Sequence, residues 1–163
     1  MDTGSITLLQ QSCGKVRASD IEAAETFYAE LFAIDPSLRS MFSSNMHAQY
    51  RKFLSALNYL IYALHAPEKM QGSVQKLAEA HSRYGVRPEH YTSFGIALLR
   101  TLKKVLGPEF TPELCDAWAD WFQMIARAMQ EAAPGDVPLK VVDVAWWRSL
   151  LTDGARPLAL AQG

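Results

Sequence analysis

The amino-acid sequence predicts an all-α fold, and three observations lead to this prediction. Apolar residues recur every three or four positions over long segments, several prolines stand where they open helices, and no alternating polar and apolar run of comparable length competes. The 163 residues, of which 49% are hydrophobic, suit one soluble domain that buries a core without disulfides. We therefore expect a helical domain over residues 1–133 and a C-terminal extension over residues 134–163.

Local capping signals set the starts of the helices. Ser19 and Glu22 have the spacing of a capping box, in which each side chain caps the backbone N–H of the other residue. Asp35 and Thr111 each precede a proline that fits the first turn of a helix, and Pro88 fits the same position. With the apolar periodicity, these signals predict helices at about 5–17, 19–33, 36–41, 46–65, 73–83, 88–106 and 112–132.

The chain changes character after residue 133. A breaker cluster over residues 133–136 ends the last long helix, and residues 139–151 are too apolar for a solvated linker. We expect this short segment to dock on the main domain or on a partner, and the chain end to fray. Trp146 and Trp147 within it are a candidate homodimer contact, because aromatic residues are enriched at interface cores.

Charge and cysteine content exclude several classes of protein. The 16 basic and 17 acidic residues nearly cancel, which argues against a dedicated nucleic-acid binder but allows a small local basic patch. Cys13 and Cys115 lie far apart without neighbouring ligands, so neither a disulfide framework nor a zinc site is indicated. The N-terminus lacks a signal-peptide pattern, and no uncharged stretch reaches the ~20 apolar residues of a membrane span. We expect a cytoplasmic protein that does not interact with membranes.

His81 is the most informative single residue. It ends an apolar helical stripe that includes Val74, Leu77 and Ala78, so its ring should face the core. A histidine in this position is either a hydrogen-bonded core residue or the proximal ligand of a haem iron, which needs one free imidazole nitrogen. The stripe alone leaves both interpretations open.

The order of motifs along the chain resembles the globin family. The resemblance is closest to the bacterial globins with a three-over-three helical sandwich, the group of flavohaemoglobins and their single-domain relatives, and it covers roughly residues 5–132. The motifs that carry it are Phe27-Tyr28, Asp35-Pro36, Phe42, Gln49, Phe53 and the run from His81 to Tyr91. The family fold, a three-over-three sandwich around haem, is therefore the expected architecture.

The resemblance implies a role for each of these residues. His81 becomes the proximal ligand of the iron in haem b, Phe42 the aromatic wedged against the porphyrin, and Phe53 a side chain packed over its distal face. Tyr28 and Gln49 become the distal pair that hydrogen-bonds bound O2, since a phenol O–H and an amide N–H both donate. Without the resemblance, Tyr28 reads as an ordinary core residue and Gln49 as an exposed residue near a helix start.

On the proximal side the resemblance is incomplete. Tyr91 matches the tyrosine that lies near the proximal histidine in flavohaemoglobins. The acidic residue that completes their proximal network is replaced by Ala133, and Glu131 should point elsewhere. Arg83 and Arg87 follow the histidine and are candidate partners of the haem propionates, with plain solvation as the alternative.

The remaining candidate ligands are weaker. His47 and Lys52 are alternative sixth ligands of the iron, although the helical spacing turns His47 away from the side of Gln49. We expect His65 and His90 to be surface or helix-terminal residues.

The expected function is that of a haem globin that binds O2, NO and CO and serves in oxygen binding, storage or delivery. Two alternatives remain: a nitric oxide dioxygenase that uses a separate reductase, or a gas sensor that signals through residues 141–151 to a partner or output domain. A globin-like domain that has lost haem is a further alternative. Enzyme activity is undecided, because the globins that the chain resembles include carriers, enzymes and sensors. No phosphate loop, catalytic triad or two-carboxylate site is visible in the sequence.

Overall fold

All regular structure in the described part of the chain is helical. The computed structural model describes residues 1–133, apart from the side chain of Asp20, and the expectations about residues 134–163, including Trp146 and Trp147, lie outside this range. The α-helices are α1 Thr3–Ala18, α2 Asp20–Ile34, α3 Met46–Tyr62, α4 Pro67–Arg83, α5 Pro88–Leu106 and α6 Pro112–Ala132, with 3-10 helices at Pro36–Met41, Ala63–His65 and Gly107–Glu109. No helix within residues 1–133 is long and apolar enough to cross a membrane.

The six helices form two layers of three, with α1, α3 and α4 over α2, α5 and α6. Within the layers α1 contacts α3, and α5 contacts both α2 and α6. Between the layers α4 packs on α6, α3 packs on α2, and α1 packs on α5 and α6. The interface between the layers is the hydrophobic core, whose largest fully buried side chains include Trp118, Phe27, Leu9, Ile61 and Leu98. The predicted all-α class and the three-over-three arrangement are confirmed.

The caps predicted beside prolines are present. The Asp35 carboxylate accepts from the backbone N–H of Ser37 at 3.1 Å, and the Thr111 hydroxyl accepts from that of Leu114 at 3.3 Å. Each side chain satisfies an N–H that has no partner within its helix, while the following proline needs no acceptor. A capping residue directly before a proline therefore predicts the start of the helix correctly at both positions.

The predicted capping box at Ser19 is wrong. Ser19 has helical dihedral angles, φ −82° and ψ −6°, and makes no side-chain cap. Its hydroxyl instead donates back to the carbonyl oxygen of Lys15 at 3.5 Å. A capping residue needs an extended backbone to reach forward, so the spacing to Glu22 is not sufficient. The chain passes from α1 to α2 through this single residue.

A glycine turn follows the end of α4, four residues after His81. Gly85 has φ +78°, and its N–H donates to the Ser82 carbonyl at 3.0 Å, while the Val86 N–H donates to the His81 carbonyl at 3.0 Å. Only glycine adopts this left-handed conformation without strain. The turn places Val86 beside His81 at the wall of the internal cavity.

Candidate functional site

A cavity of about 210 Å³ lies between α3 and α4, which do not pack closely on each other within the described structure. Side chains from α2, α5, α6 and the 3-10 helix Pro36–Met41 complete its wall. The wall is mainly apolar, and its few polar groups belong to Tyr28, Gln49, His81, His90, Tyr91 and Trp121. A mostly apolar cavity with a few polar groups is the usual form of a small-molecule or cofactor site.

His81 presents one imidazole nitrogen to this cavity. Its Nδ1–H donates to the Leu77 carbonyl oxygen one helical turn earlier, at 2.8 Å. In the neutral ring this leaves Nε2 unprotonated. Burial lowers the pKa of His81, and this favours the neutral form. The residue therefore has the tautomer and orientation that a metal-ligating histidine requires.

Tyr28 and Gln49 are joined in the cavity wall by a hydrogen bond. The Gln49 Nε2–H donates to the Tyr28 hydroxyl oxygen at 2.9 Å, and the two residues come from different helices, α2 and α3. Tyr28 is only 4% exposed, and burial raises its pKa to about 12, although the bond from Gln49 acts in the opposite direction. The phenol is thus protonated at neutral pH, and its own O–H is left to donate to a further acceptor.

Aromatic rings fix the position of the Tyr28 ring. Phe42 meets it edge-on, with 5.3 Å between ring centroids and an interplanar angle of 76°. Phe53 lies 5.9 Å away and stacks on Phe27 with a centroid distance of 4.3 Å. Such ring contacts hold side chains in defined orientations. Phe42 and Phe53 both line the cavity, as the sequence predicts for residues that pack on a cofactor.

Tyr91 is the other buried phenol of the cavity wall. Burial raises its pKa to about 12, so its hydroxyl remains protonated at neutral pH. Glu131 is exposed and does not line the cavity, and Ala133 follows the end of α6. Among residues 1–133 the cavity wall therefore holds no carboxylate.

Several candidate residues stand outside the wall. Arg83 and Arg87 are exposed, and Arg87 forms an ion pair with Glu89 at 2.9 Å. His47 and Lys52 are also exposed and do not line the cavity. These four residues therefore do not share the cavity wall with His81.

Two wall residues were not identified by sequence reasoning. His90, predicted as a surface or helix-terminal residue, does lie in the first turn of α5 but is only 8% exposed. Its Nδ1 accepts from the Arg87 backbone N–H at 3.0 Å. Trp121 is 3% exposed, and its indole N–H has no hydrogen-bond partner among the described residues. The one sequence signal was the position of each residue relative to other apolar residues on its helix. His90 stands next to Tyr91, and Trp121 stands four residues, about one helical turn, before Ile125. His65 is exposed, as predicted.

The wall residues fit a haem group. A neutral imidazole with a free nitrogen stands on α4, a hydrogen-bonded pair of side chains stands on α2 and α3, and flat aromatic rings line the same cavity. An imidazole ligand, an apolar pocket and distal donors are the features by which proteins tune haem iron. The site therefore offers what the cofactor needs.

Comparisons with known proteins agree with this geometry. A family model described as Globin matches residues 25–129. A flavohemoprotein of Deinococcus radiodurans is 37% identical over 107 residues, which are 64% of this chain and 27% of that protein. Flavohemoprotein A of Dictyostelium discoideum is 26% identical over 145 residues, 88% of this chain and 36% of that one. The chain thus spans about a third of the length of these relatives.

Solved structures show the same fold. A bacterial globin from Campylobacter jejuni superposes with a TM-score of 0.72 at 22% identity, covering 80% of this chain and 95% of that one. A carbene transferase engineered from a proposed nitric oxide dioxygenase of Rhodothermus marinus also gives 0.72, at 25% identity, covering 80% and 92%.

Proposed function

Because the chain belongs to the globin family, we propose that it holds haem b and reversibly binds O2 and other diatomic gases, in oxygen binding, storage or delivery. The observation that carries the proposal is the pairing of His81 with the Tyr28–Gln49 hydrogen bond in one cavity. Haem b, when bound, supplies an iron atom with one position for the imidazole and one for a gas. His81 would hold the iron, while Phe42, Phe53 and Tyr91 would pack on the porphyrin.

The distal residues have different roles in this proposal. Tyr28 directs its O–H toward the ligand position, and Gln49 holds the phenol by donating to its oxygen. A donor whose oxygen already accepts a hydrogen bond is a stronger donor, since hydrogen bonds in a chain polarise one another. The phenol therefore retains a gas that carries partial negative charge, and the amide acts through the phenol.

The proximal residues favour gas binding over activation of oxygen. The Leu77 carbonyl is a neutral acceptor for the His81 Nδ1–H, and the described cavity wall holds no carboxylate that would make the imidazole more basic. A carboxylate on the second nitrogen raises the basicity of a metal-bound histidine. A neutral acceptor leaves the imidazole an ordinary ligand, which suits reversible binding.

The experiment for this function is an oxygen equilibrium titration of the purified, reduced protein, together with its autoxidation rate. The proposal predicts a Soret band, saturable O2 binding that reverses under inert gas, and slow autoxidation. A colourless protein, or one that oxidises within each binding cycle, would contradict it.

A second candidate is nitric oxide dioxygenase activity with electrons from a separate reductase. It is favoured by the relatives named flavohemoproteins and by the neighbour derived from a proposed nitric oxide dioxygenase. In that case the oxygenated protein consumes NO stoichiometrically, and NADH with a flavin reductase sustains turnover. A carrier shows the first reaction without efficient turnover. The gas-sensor alternative concerns residues 141–151, outside the described range.

A further inference from the structure

Arg39 is an exposed residue of the 3-10 helix Pro36–Met41, and its side chain reaches the residues that follow this helix. The guanidinium Nη1 donates to the Phe42 carbonyl oxygen at 3.1 Å and to the Ser43 carbonyl oxygen at 3.4 Å. The Arg39 backbone takes part as well, because its carbonyl oxygen accepts from the Phe42 backbone N–H at 3.3 Å. Arg39 therefore holds Phe42 through both its N–H and its C=O group.

The residues that Arg39 holds belong to the connection between the 3-10 helix and α3, residues 42–45. Helical structure stops at Met41 and resumes at Met46, so helical hydrogen bonds do not stabilise this connection. Backbone carbonyl groups outside helices need other partners. The guanidinium supplies one for two successive carbonyl groups, and a charged donor makes a stronger hydrogen bond than a neutral one. Removing Arg39 would therefore loosen the connection at Phe42.

The same guanidinium lies over an aromatic ring of α2. Its Cζ atom is 5.6 Å from the centroid of the Phe32 ring, which is within the range of a cation–π contact. The Phe32 ring centroid is 5.7 Å from that of Phe42 and 5.8 Å from that of Tyr28. Since Phe42 and Tyr28 are 5.3 Å apart, the three rings form a closed set, called here the aromatic triangle. Arg39 contacts two of its three members.

The aromatic triangle connects the protein surface with the cavity. Phe42 and Tyr28 line the cavity, whereas Phe32 and Arg39 do not. Arg39 forms no ion pair with another residue of the range 1–133, so its contacts there are those to the two carbonyl groups and to Phe32. A flat guanidinium suits this position, because its edge donates hydrogen bonds while its face covers a ring. Arg39 thus acts on two cavity residues from outside the cavity.

We propose that Arg39 is a positioning residue for the gas-binding pocket, which holds Phe42 against Tyr28 and thereby keeps the phenol in place to donate to a bound gas. This inference rests on the proposed haem function. A hydrogen bond weakens steeply when its donor moves out of line, so a small displacement of the Tyr28 ring matters. Without Arg39 the connection after the 3-10 helix gains freedom, and Tyr28 loses the fixed edge-on contact with Phe42. The bound gas then escapes faster and meets more than one environment.

The test compares Arg39→Met, which keeps a long apolar side chain but loses every donor, with the control Arg51→Met. Arg51 is exposed on α3, and its side chain makes no hydrogen bond or ion pair within the described residues, so the control makes the same change in net charge. We expect the O2 dissociation rate to rise about threefold or more in Arg39→Met and to stay within about 1.5-fold of wild type in the control. The C–O stretching band of the CO-bound protein should broaden or split in Arg39→Met alone, because this vibration responds to the polar groups around the gas.

Two further variants identify the cause of any change. Arg39→Lys keeps the positive charge, but an ammonium group lacks the flat fork of a guanidinium, so we expect it to restore only part of the wild-type behaviour. In the Tyr28→Phe background, Arg39→Met should change the O2 dissociation rate little, because the phenol through which Arg39 acts is absent. Full restoration by Arg39→Lys, or an undiminished effect without the phenol, would overturn the proposal.

Hydrogen exchange of the protein as purified tests the contact without a bound gas. Peptides that cover residues 38–46 should exchange faster in Arg39→Met than in wild type and at the wild-type rate in Arg51→Met. Faster exchange with an unchanged O2 dissociation rate and CO band would overturn the positioning role and leave the haem function intact, since Arg39 would then only stabilise the connection. Equal changes in both arginine variants would also overturn it, because net charge would be the cause. A wild-type protein that binds no CO would overturn the haem function itself, and with it the role of Arg39 in retaining a gas.

Discussion

The Tyr28 hydroxyl accepts a hydrogen bond from the Gln49 amide at 2.9 Å, so the two polar residues form a connected pair in the cavity wall. The phenol has one proton to donate, and one of the two N–H groups of the amide donates to the phenol oxygen. In the proposed function Tyr28 would meet the gas, and Gln49 would hold the phenol by donating to its oxygen.

Removing the phenol hydroxyl should release O2 faster. We expect Tyr28→Phe to raise the O2 dissociation rate at least tenfold, which corresponds to a loss of about 1.4 kcal/mol or more of hydrogen bonding. Tyr50→Phe is the control, because its ring lies 5.5 Å from that of Tyr28 but does not line the cavity. Flash photolysis or stopped flow measures both rates, and an unchanged rate in Tyr28→Phe would refute the assigned role.

The amide should matter only while the phenol is present. We expect Gln49→Leu to raise the O2 dissociation rate severalfold, since the phenol loses the donor that fixes its oxygen. In the Tyr28→Phe background the same change should have little further effect. This double-mutant cycle isolates the coupling between the two residues. Fully additive effects would mean that Gln49 contacts the ligand independently.

The glycine turn after His81 should be sensitive to a side chain. We expect Gly85→Ala to lower the free energy of unfolding by about 1 kcal/mol, because alanine is strained at φ +78°. Gly72→Ala is the control inside α4, where nothing lies within 4 Å of the added carbon. That change should stabilise the protein by about 0.5–1 kcal/mol. Urea unfolding that gives both variants the same sign would contradict the role of the turn.

His90 should make stability depend on pH. Burial and the charge of Arg87 lower its pKa below the ordinary value of 6.5, so the unfolded chain takes up a proton at a higher pH than the folded protein does. The free energy of unfolding therefore falls as pH decreases from 6.5 toward the lowered pKa. His90→Gln should flatten this dependence in urea unfolding of the CO-bound protein. The exposed His65→Gln variant should retain it, and equal slopes for wild type and His90→Gln would contradict the argument.

Local signals predict most of the fold, because they concern residues that are close in sequence. Asp35 and Thr111, each followed by a proline, predict where their helices begin. The recurrence of apolar residues every three or four positions predicts α5 and α6. The start of α4 at Pro67 was missed by six residues, since Met70 is the only large apolar side chain in the segment 67–72. Ser19 has the right spacing for a cap but a helical backbone, which the spacing does not reveal.

The candidate site is less visible in the sequence, because its contacts join distant residues. Tyr28 and Gln49 are 21 positions apart and meet only where α2 and α3 come together. His90 is buried in the wall of a cavity that α2, α3, α4 and α6 also line, so its burial depends on residues distant in sequence. The family resemblance supplied the roles of Tyr28, Gln49 and His81, and the structure adds the direction of their hydrogen bonds.

The ferrous CO spectrum of His81→Ala is the most direct test of the account, because every proposed role depends on His81 as the iron ligand. The matched control is His90→Ala, which removes the other histidine of the same cavity wall. We expect His81→Ala to lose the normal six-coordinate globin band and to regain it when imidazole is added, while His90→Ala keeps the band throughout. A normal band in His81→Ala without imidazole would contradict the account.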